Sequence, residues 1–124
     1  MYNNLDFSIL KGKTLSEIKN VDDEEIIFVC DNGESYKLFH DQDCCECVSV
    51  EDIIGDLNDL IGSPLLMAEE VTSDTNPEGI AKEYQDDSFT WTFYKLATIK
   101  GYVTIRWYGE SNGYYSEGVS FVAV

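Results

Sequence analysis

Val48-Ser49-Val50-Glu51-Asp52-Ile53-Ile54-Gly55-Asp56-Leu57-Asn58-Asp59-Leu60-Ile61 is the segment on which the fold class turns. Ile53, Ile54, Leu57, Leu60 and Ile61 recur at helical spacing and would line one apolar stripe. Ser49 stands where an N-cap belongs, and Asp52 follows three residues on, where an acid suits the positive end of the helix dipole. Gly55 weakens such a helix a little. Gly62-Ser63-Pro64 ends it. The expectation is one helix over residues 48–61.

The flanking sequence reads as strand. Glu25-Ile26-Ile27-Phe28-Val29-Cys30 and Ser35-Tyr36-Lys37-Leu38-Phe39-His40 are rich in β-branched and aromatic residues, and Asn32-Gly33 between them is a two-residue hairpin signal. Residues 13–20 form a first strand or turn anchored by Leu15 and Ile18, and residues 64–71 a strand or extended connector. Residues 72–87 are polar, with Pro77 and Gly79, and read as an exposed loop. Residues 88–99, 102–108 and 114–124 follow as three strands joined by Lys100-Gly101 and by the Gly109–Gly113 turn, an antiparallel meander. Phe89, Trp91 and Phe93 should share the core face, with Thr90, Thr92 and Tyr94 opposite. Val103, Ile105 and Trp107 should line the core in the next strand, leaving Arg106 with Tyr102, Thr104 and Tyr108 on the other face. The fold class expected is a single α+β domain over residues 1–124: an N-terminal β-hairpin, one central helix, and a C-terminal three-stranded meander in one twisted sheet.

Charge narrows the functional classes. The chain has 24 Asp and Glu against 8 Lys and Arg, a formal net charge of −16, and Arg106 is its one arginine. Such a chain repels nucleic acid and anionic membranes and is attracted to basic surfaces. Its carboxylates either form a solvated surface or imitate phosphates and dock on a nucleic-acid-binding protein. Base stacking on the aromatic strands is opposed by the scarcity of cations to hold phosphates. No apolar run approaches the roughly 20 residues that span a bilayer, and residues 1–6 lack the basic start and apolar stretch of a signal peptide. The expectation is a soluble protein of the cytoplasm.

His40-Asp41-Gln42-Asp43-Cys44-Cys45-Glu46-Cys47 holds the only histidine and three of the four cysteines. Imidazole and thiolate are preferred zinc ligands, and Cys44 and Cys47 form a Cys-x-x-Cys. The candidate metal ligands are His40, Cys44, Cys45 and Cys47, with Asp41 or a remote carboxylate as alternatives for the fourth. Adjacent Cys44 and Cys45 would be strained as a pair, so reduced thiols or thiolate ligands are expected. Cys30 stands five residues of strand from the position of His40, roughly 16 Å at about 3.3 Å per residue, and reads as a core residue. A structural zinc is favoured over a catalytic one: Glu46, Asp41 or Asp43 could act as base, but no His-Glu-x-x-His or deaminase signature is present. The segment then fastens the hairpin to the helix.

His40-Asp41-Gln42-Asp43-Cys44-Cys45-Glu46, Glu51-Asp52-Ile53-Ile54-Gly55-Asp56, Asp59-Leu60-Ile61-Gly62-Ser63-Pro64-Leu65-Leu66, Ala68-Glu69-Glu70, Phe89-Thr90-Trp91-Thr92-Phe93-Tyr94-Lys95 and Trp107-Tyr108-Gly109 resemble a family of small phage and prophage proteins of unknown function. The chain is also similar to type II-A anti-CRISPR proteins in size, charge and metal dependence. That resemblance implies a non-enzymatic, metal-stabilised inhibitor whose partner is a type II CRISPR effector nuclease, with no direct nucleic-acid contact. RNA-guided nucleases hold nucleic acid in positively charged channels, which a rigid acidic domain can occupy. The alternatives are a small phage metalloenzyme of hydrolase type and a signal-nucleotide-binding protein.

Overall fold

The computed structural model describes residues 4–77 and 88–124. Among these residues, eight strands form two four-stranded antiparallel sheets. The first sheet contains β1 (Leu15–Val21), β2 (Glu25–Cys30), β3 (Ser35–Phe39) and β8 (Ser120–Ala123), in the order β1-β2-β3-β8. The second contains β4 (Cys47–Ile54), β5 (Met67–Ser73), β6 (Ser88–Thr98) and β7 (Gly101–Ser111), in the order β4-β7-β6-β5. Short 3₁₀ turns occupy Phe7–Leu10 and Leu57–Leu60. Within residues 78–87, the end of the polar loop expected over 72–87 lies outside the described residues.

One apolar core lies between the sheets. Ile26, Phe28, Leu38 and Phe121 come from the first, and Val50, Tyr94, Leu96, Val103, Ile105 and Trp107 from the second. Phe7 bridges them, its ring centroid 4.7 Å from Tyr94, 5.1 Å from Phe121 and 6.0 Å from Phe28. Burying each such side chain stabilises the fold by about 1.5–3 kcal/mol before chain entropy is counted.

The α+β expectation is overturned: residues 48–61 form a strand, a glycine corner and a single 3₁₀ turn. Val48 and Val50 face the core. A bulge at Glu51 then shifts the register, since Val50 pairs with Trp107 and Asp52 with Arg106. The shift returns Ile53 to the core side opposite Ile105. Gly55 breaks the strand at φ +110°, and Asp56 caps the turn by accepting from the Asn58 amide at 2.9 Å. Apolar residues brought inward by a bulge and a turn thus imitate a helical period. Ser49, the expected N-cap, is an exposed strand residue paired with Tyr108.

Gly55 is fixed by both conformation and space. A Cβ there would lie 2.5 Å from the Tyr102 carbonyl oxygen. Gly55→Ala should therefore cost about 1–3 kcal/mol for the backbone alone, and more for the clash. Gly12 has φ +89° with open space around its Cβ position. Gly12→Ala should show only the conformational part when both variants are compared by urea denaturation.

Three further expectations change. The C-terminal meander is only two strands deep: β6 and β7 pair along their whole length, but β8 leaves to join β3. The hairpin at Asn32-Gly33 places only Gly33 at positive φ, whereas the two-residue turn with both positions at positive φ is Asp22-Asp23, at 54° and 59°. Residues Leu15–Val21 accordingly pair with β2, and the expected hairpin is a three-stranded unit. Finally, Tyr94 and Leu96 face the core, and Phe89, Trp91 and Phe93 lie on the outer face of β6. Trp91 is nevertheless fully buried there, with Tyr108 at 4.6 Å and the Arg106 guanidinium 5.5 Å from its ring. The outward Lys95 sets this phase, because a lysine and Leu96 cannot exchange faces without burying a charge.

A carboxylate–imidazole clasp at the sheet crossover

His40 directly follows β3 and Glu46 directly precedes β4, so the segment between them carries the chain from one sheet to the other. It folds around one buried carboxylate. Glu46 Oε2 accepts from His40 Nε2 at 2.7 Å and from the Asp43 amide at 2.9 Å. Its Oε1 accepts from the Cys44 amide at 2.9 Å and from Gln42 Nε2 at 3.3 Å. Gln42 Nε2 also donates to the Glu46 carbonyl at 2.8 Å. The side chains of His40 and Glu46 are 4% and 0% exposed.

His40 Nδ1 lies 2.7 Å from the Gly118 carbonyl oxygen. Both ring nitrogens thus face oxygen atoms, Nε2 the Glu46 carboxylate and Nδ1 the Gly118 carbonyl. Burial pushes the Glu46 carboxyl up, but the amides of Cys44 and Asp43 and the His40 ring outweigh it and hold it down at about 2. The clasp joins the crossover to the segment just before β8, the strand that pairs with β3.

A second buried carboxylate pins the same segment. Glu117 accepts from Thr90 Oγ1 at 2.8 Å and from Ser111 Oγ at 2.5 Å. Burial pushes its carboxyl up, and the hydroxyls of Ser111, Ser88 and Thr90 outweigh that and lower it. Gly109 makes room for this contact, because a Cβ there would sit 2.7 Å from the Glu117 carbonyl oxygen.

The expected zinc ligands are not gathered. His40 spends both nitrogens on Glu46 and Gly118. Cys44 and Cys45, expected as reduced thiols, are joined in a disulfide. Cys47 is an exposed free thiol. With the Asp43 and Cys44 amides turned inward to Glu46, residues 43–45 leave their side chains at the surface. Among the described residues, no group of three or more His, Cys, Asp or Glu side chains is arranged to hold a metal ion. These residues as folded therefore do not fit a zinc centre. Cys30 lies in the core, as its spacing suggested, and burial pushes its thiol up. Chelation should leave the thermal unfolding midpoint of purified protein unchanged, and elemental analysis should find zinc far below stoichiometry; loss of the fold on chelation would restore the metal.

Beside the clasp runs an acidic seam. The Val50 amide donates to the Asp23 carbonyl at 2.7 Å, which sets the Asp22-Asp23-Glu24 turn against Glu51 and Asp52 of β4. All five acids are exposed. Arg106 pairs with Glu51 at 2.5 Å and with Asp52 at 3.5 Å. A cavity of about 300 Å³ lined by Glu24, His40, Gln42 and Val48 joins seam and clasp. Among the described helices, none is long and apolar enough to cross a membrane.

No curated protein and no solved structure gives a significant match. Residues 8–121 match the DUF7448 domain of unknown function, nearly the whole chain, and the protein therefore belongs to the DUF7448 family.

Proposed function

We propose that this chain is an acidic binding module that docks on a basic, nucleic-acid-binding surface of another protein. The observation that carries this reading is the seam. Asp22, Asp23, Glu24, Glu51 and Asp52 converge where the two sheets meet, and Arg106 pairs with two of them, Glu51 and Asp52. Elsewhere Lys13, Lys19 and Lys37 are engaged with Glu34, Glu17 and Glu25. The excess of 24 acids over 8 bases is left to shape the external field. The clasp supplies the rigidity that lets charge act as a shaped surface.

The resemblance to type II-A anti-CRISPR proteins makes a type II CRISPR effector nuclease the first partner to test, with inhibition of DNA loading or cleavage as the outcome. The test is calorimetry and a DNA-cleavage assay with the nuclease at low and high salt. Wild type should bind, and binding should weaken as salt rises. The triple variant Asp22→Asn, Asp23→Asn, Glu24→Gln keeps residues that tolerate the turn's positive φ and should bind roughly tenfold more weakly. No complex at low salt would sink this choice of partner.

A further inference from the structure

We infer that the free edge of β5 is a docking groove for an extended, lysine- or arginine-bearing segment of the partner. This rests on the binding reading above and adds the kind of segment recognised. Among the described residues, β5 is the terminal strand of its sheet and pairs only with β6. Among the described residues, no backbone hydrogen bond reaches its other side over residues 67–73. An antiparallel edge strand turns backbone N–H and C=O groups of alternate residues outward, a template for one more strand. Proteins that add a peptide strand in this way take affinity from the main chain and specificity from flanking pockets.

Here the flank is built. The chain before the first 3₁₀ turn is tied to β8 by the Leu5 amide, which donates to the Phe121 carbonyl at 2.8 Å. Between that chain and β5 lies a cleft of about 580 Å³, lined among others by Asp6, Phe7, Ala68, Glu69, Glu70 and Val71. Its charged lining residues, Asp6, Glu69 and Glu70, are all acidic. Leu5 and Val71 are 36% and 41% exposed and offer apolar contacts on the two walls. Tyr94, cross-strand from Glu70 and packed on Phe7, is fully buried beneath this edge. Charge chooses the occupant. A second copy would set Glu69 and Glu70 against their own kind on a chain of net charge −16, whereas a basic strand neutralises them.

The test uses the full chain and a fluorescein-labelled peptide of alternating lysine and valine, the length of β5, at physiological salt. Anisotropy should show binding, and amide shifts should concentrate at residues 67–73 and 4–8. The same peptide with prolines at alternate positions keeps much of its charge but cannot form the ladder, and should not bind. Glu69→Lys with Glu70→Lys should weaken binding by roughly tenfold or more, about 1.4 kcal/mol. Equal binding of the proline peptide, shifts centred elsewhere, or self-association through β5 in sedimentation would each overturn the groove. If the double variant still binds the nuclease as wild type does, the groove falls while the binding function stands. If the peptide seats on β5 but wild type ignores the nuclease, that partner falls and the groove stands.

Discussion

Trp107→Ala should destabilise the protein by about 3–5 kcal/mol, and Trp107→Phe by distinctly less. Trp107 is fully buried on the core face of β7, paired with Val50 on one side and Thr92 on the other. Alanine would leave a cavity where both sheets meet, and a β-sandwich whose layers are fixed by strand pairing has little freedom to collapse into it. Phenylalanine keeps most of the volume and removes a second burden. The indole Nε1 of Trp107 is buried without an acceptor among the described residues, and an unsatisfied buried donor costs about 1–3 kcal/mol. Trp91 supplies the comparison. It is equally buried, but its Nε1 donates to Asn76 Oδ1 at 3.1 Å. Trp91→Phe therefore discards a hydrogen bond, and should cost about 1 kcal/mol more than Trp107→Phe. Urea denaturation of the variants reads all three values. Trp107→Phe as damaging as Trp107→Ala would mean that the nitrogen has a partner.

The same two strands show what a sequence of this kind discloses. β2, β3, β6 and β7 were legible because β-branched and aromatic residues alternate between turn signals, and such residues suit a pleated, half-buried surface. The segment at 48–61 was not. Its true period is two, but the bulge at Glu51 and the corner at Gly55 break the phase. A bulge leaves no mark in composition. The only local hint was the β-branched run Val48, Val50, Ile53, Ile54, which a helix accommodates less well than leucine or alanine. The destination of β8 was hidden for a different reason: a short strand can pair with any open edge, and its choice of β3 is fixed by Glu117 and by His40 on Gly118, contacts distant in sequence. At the site, the crossover segment was legible from its unusual residues. The chemistry was not. Residue types pointed to thiolates, whereas the fastener is Glu46, one carboxylate among 24 acids with nothing in its neighbourhood to single it out.

Glu46→Gln should remove much of the acid-side stability of this fold and should be more damaging than His40→Ala. The carboxylate is the centre of the clasp, since all four of its partners donate to it: two amides, a glutamine N–H and an imidazole N–H. Any orientation of a glutamine amide turns its NH₂ toward one of the two backbone N–H groups, so one buried donor always faces another. His40→Ala leaves both backbone donors satisfied; it takes one of the two donors from Glu46 Oε2 and frees the Gly118 carbonyl, which water can reach through the cavity of about 300 Å³ beside it. The pH dependence follows from the same geometry. Glu46 titrates at about 2 in the folded protein against an ordinary value of 4.5, so the folded state prefers its ionised form. That preference contributes stability fully above about pH 4.5 and loses it as pH falls toward 2. Wild type should therefore lose stability steeply across this window, with Glu117, also lowered, acting in the same direction. Glu46→Gln should start from a lower plateau at neutral pH and fall less steeply below pH 4.5, because one of the protons that drives acid unfolding is gone. Chemical denaturation of wild type and variant at a series of pH values measures both features, and parallel curves would show that Glu46 is not the group that ties the sheets together at acid pH.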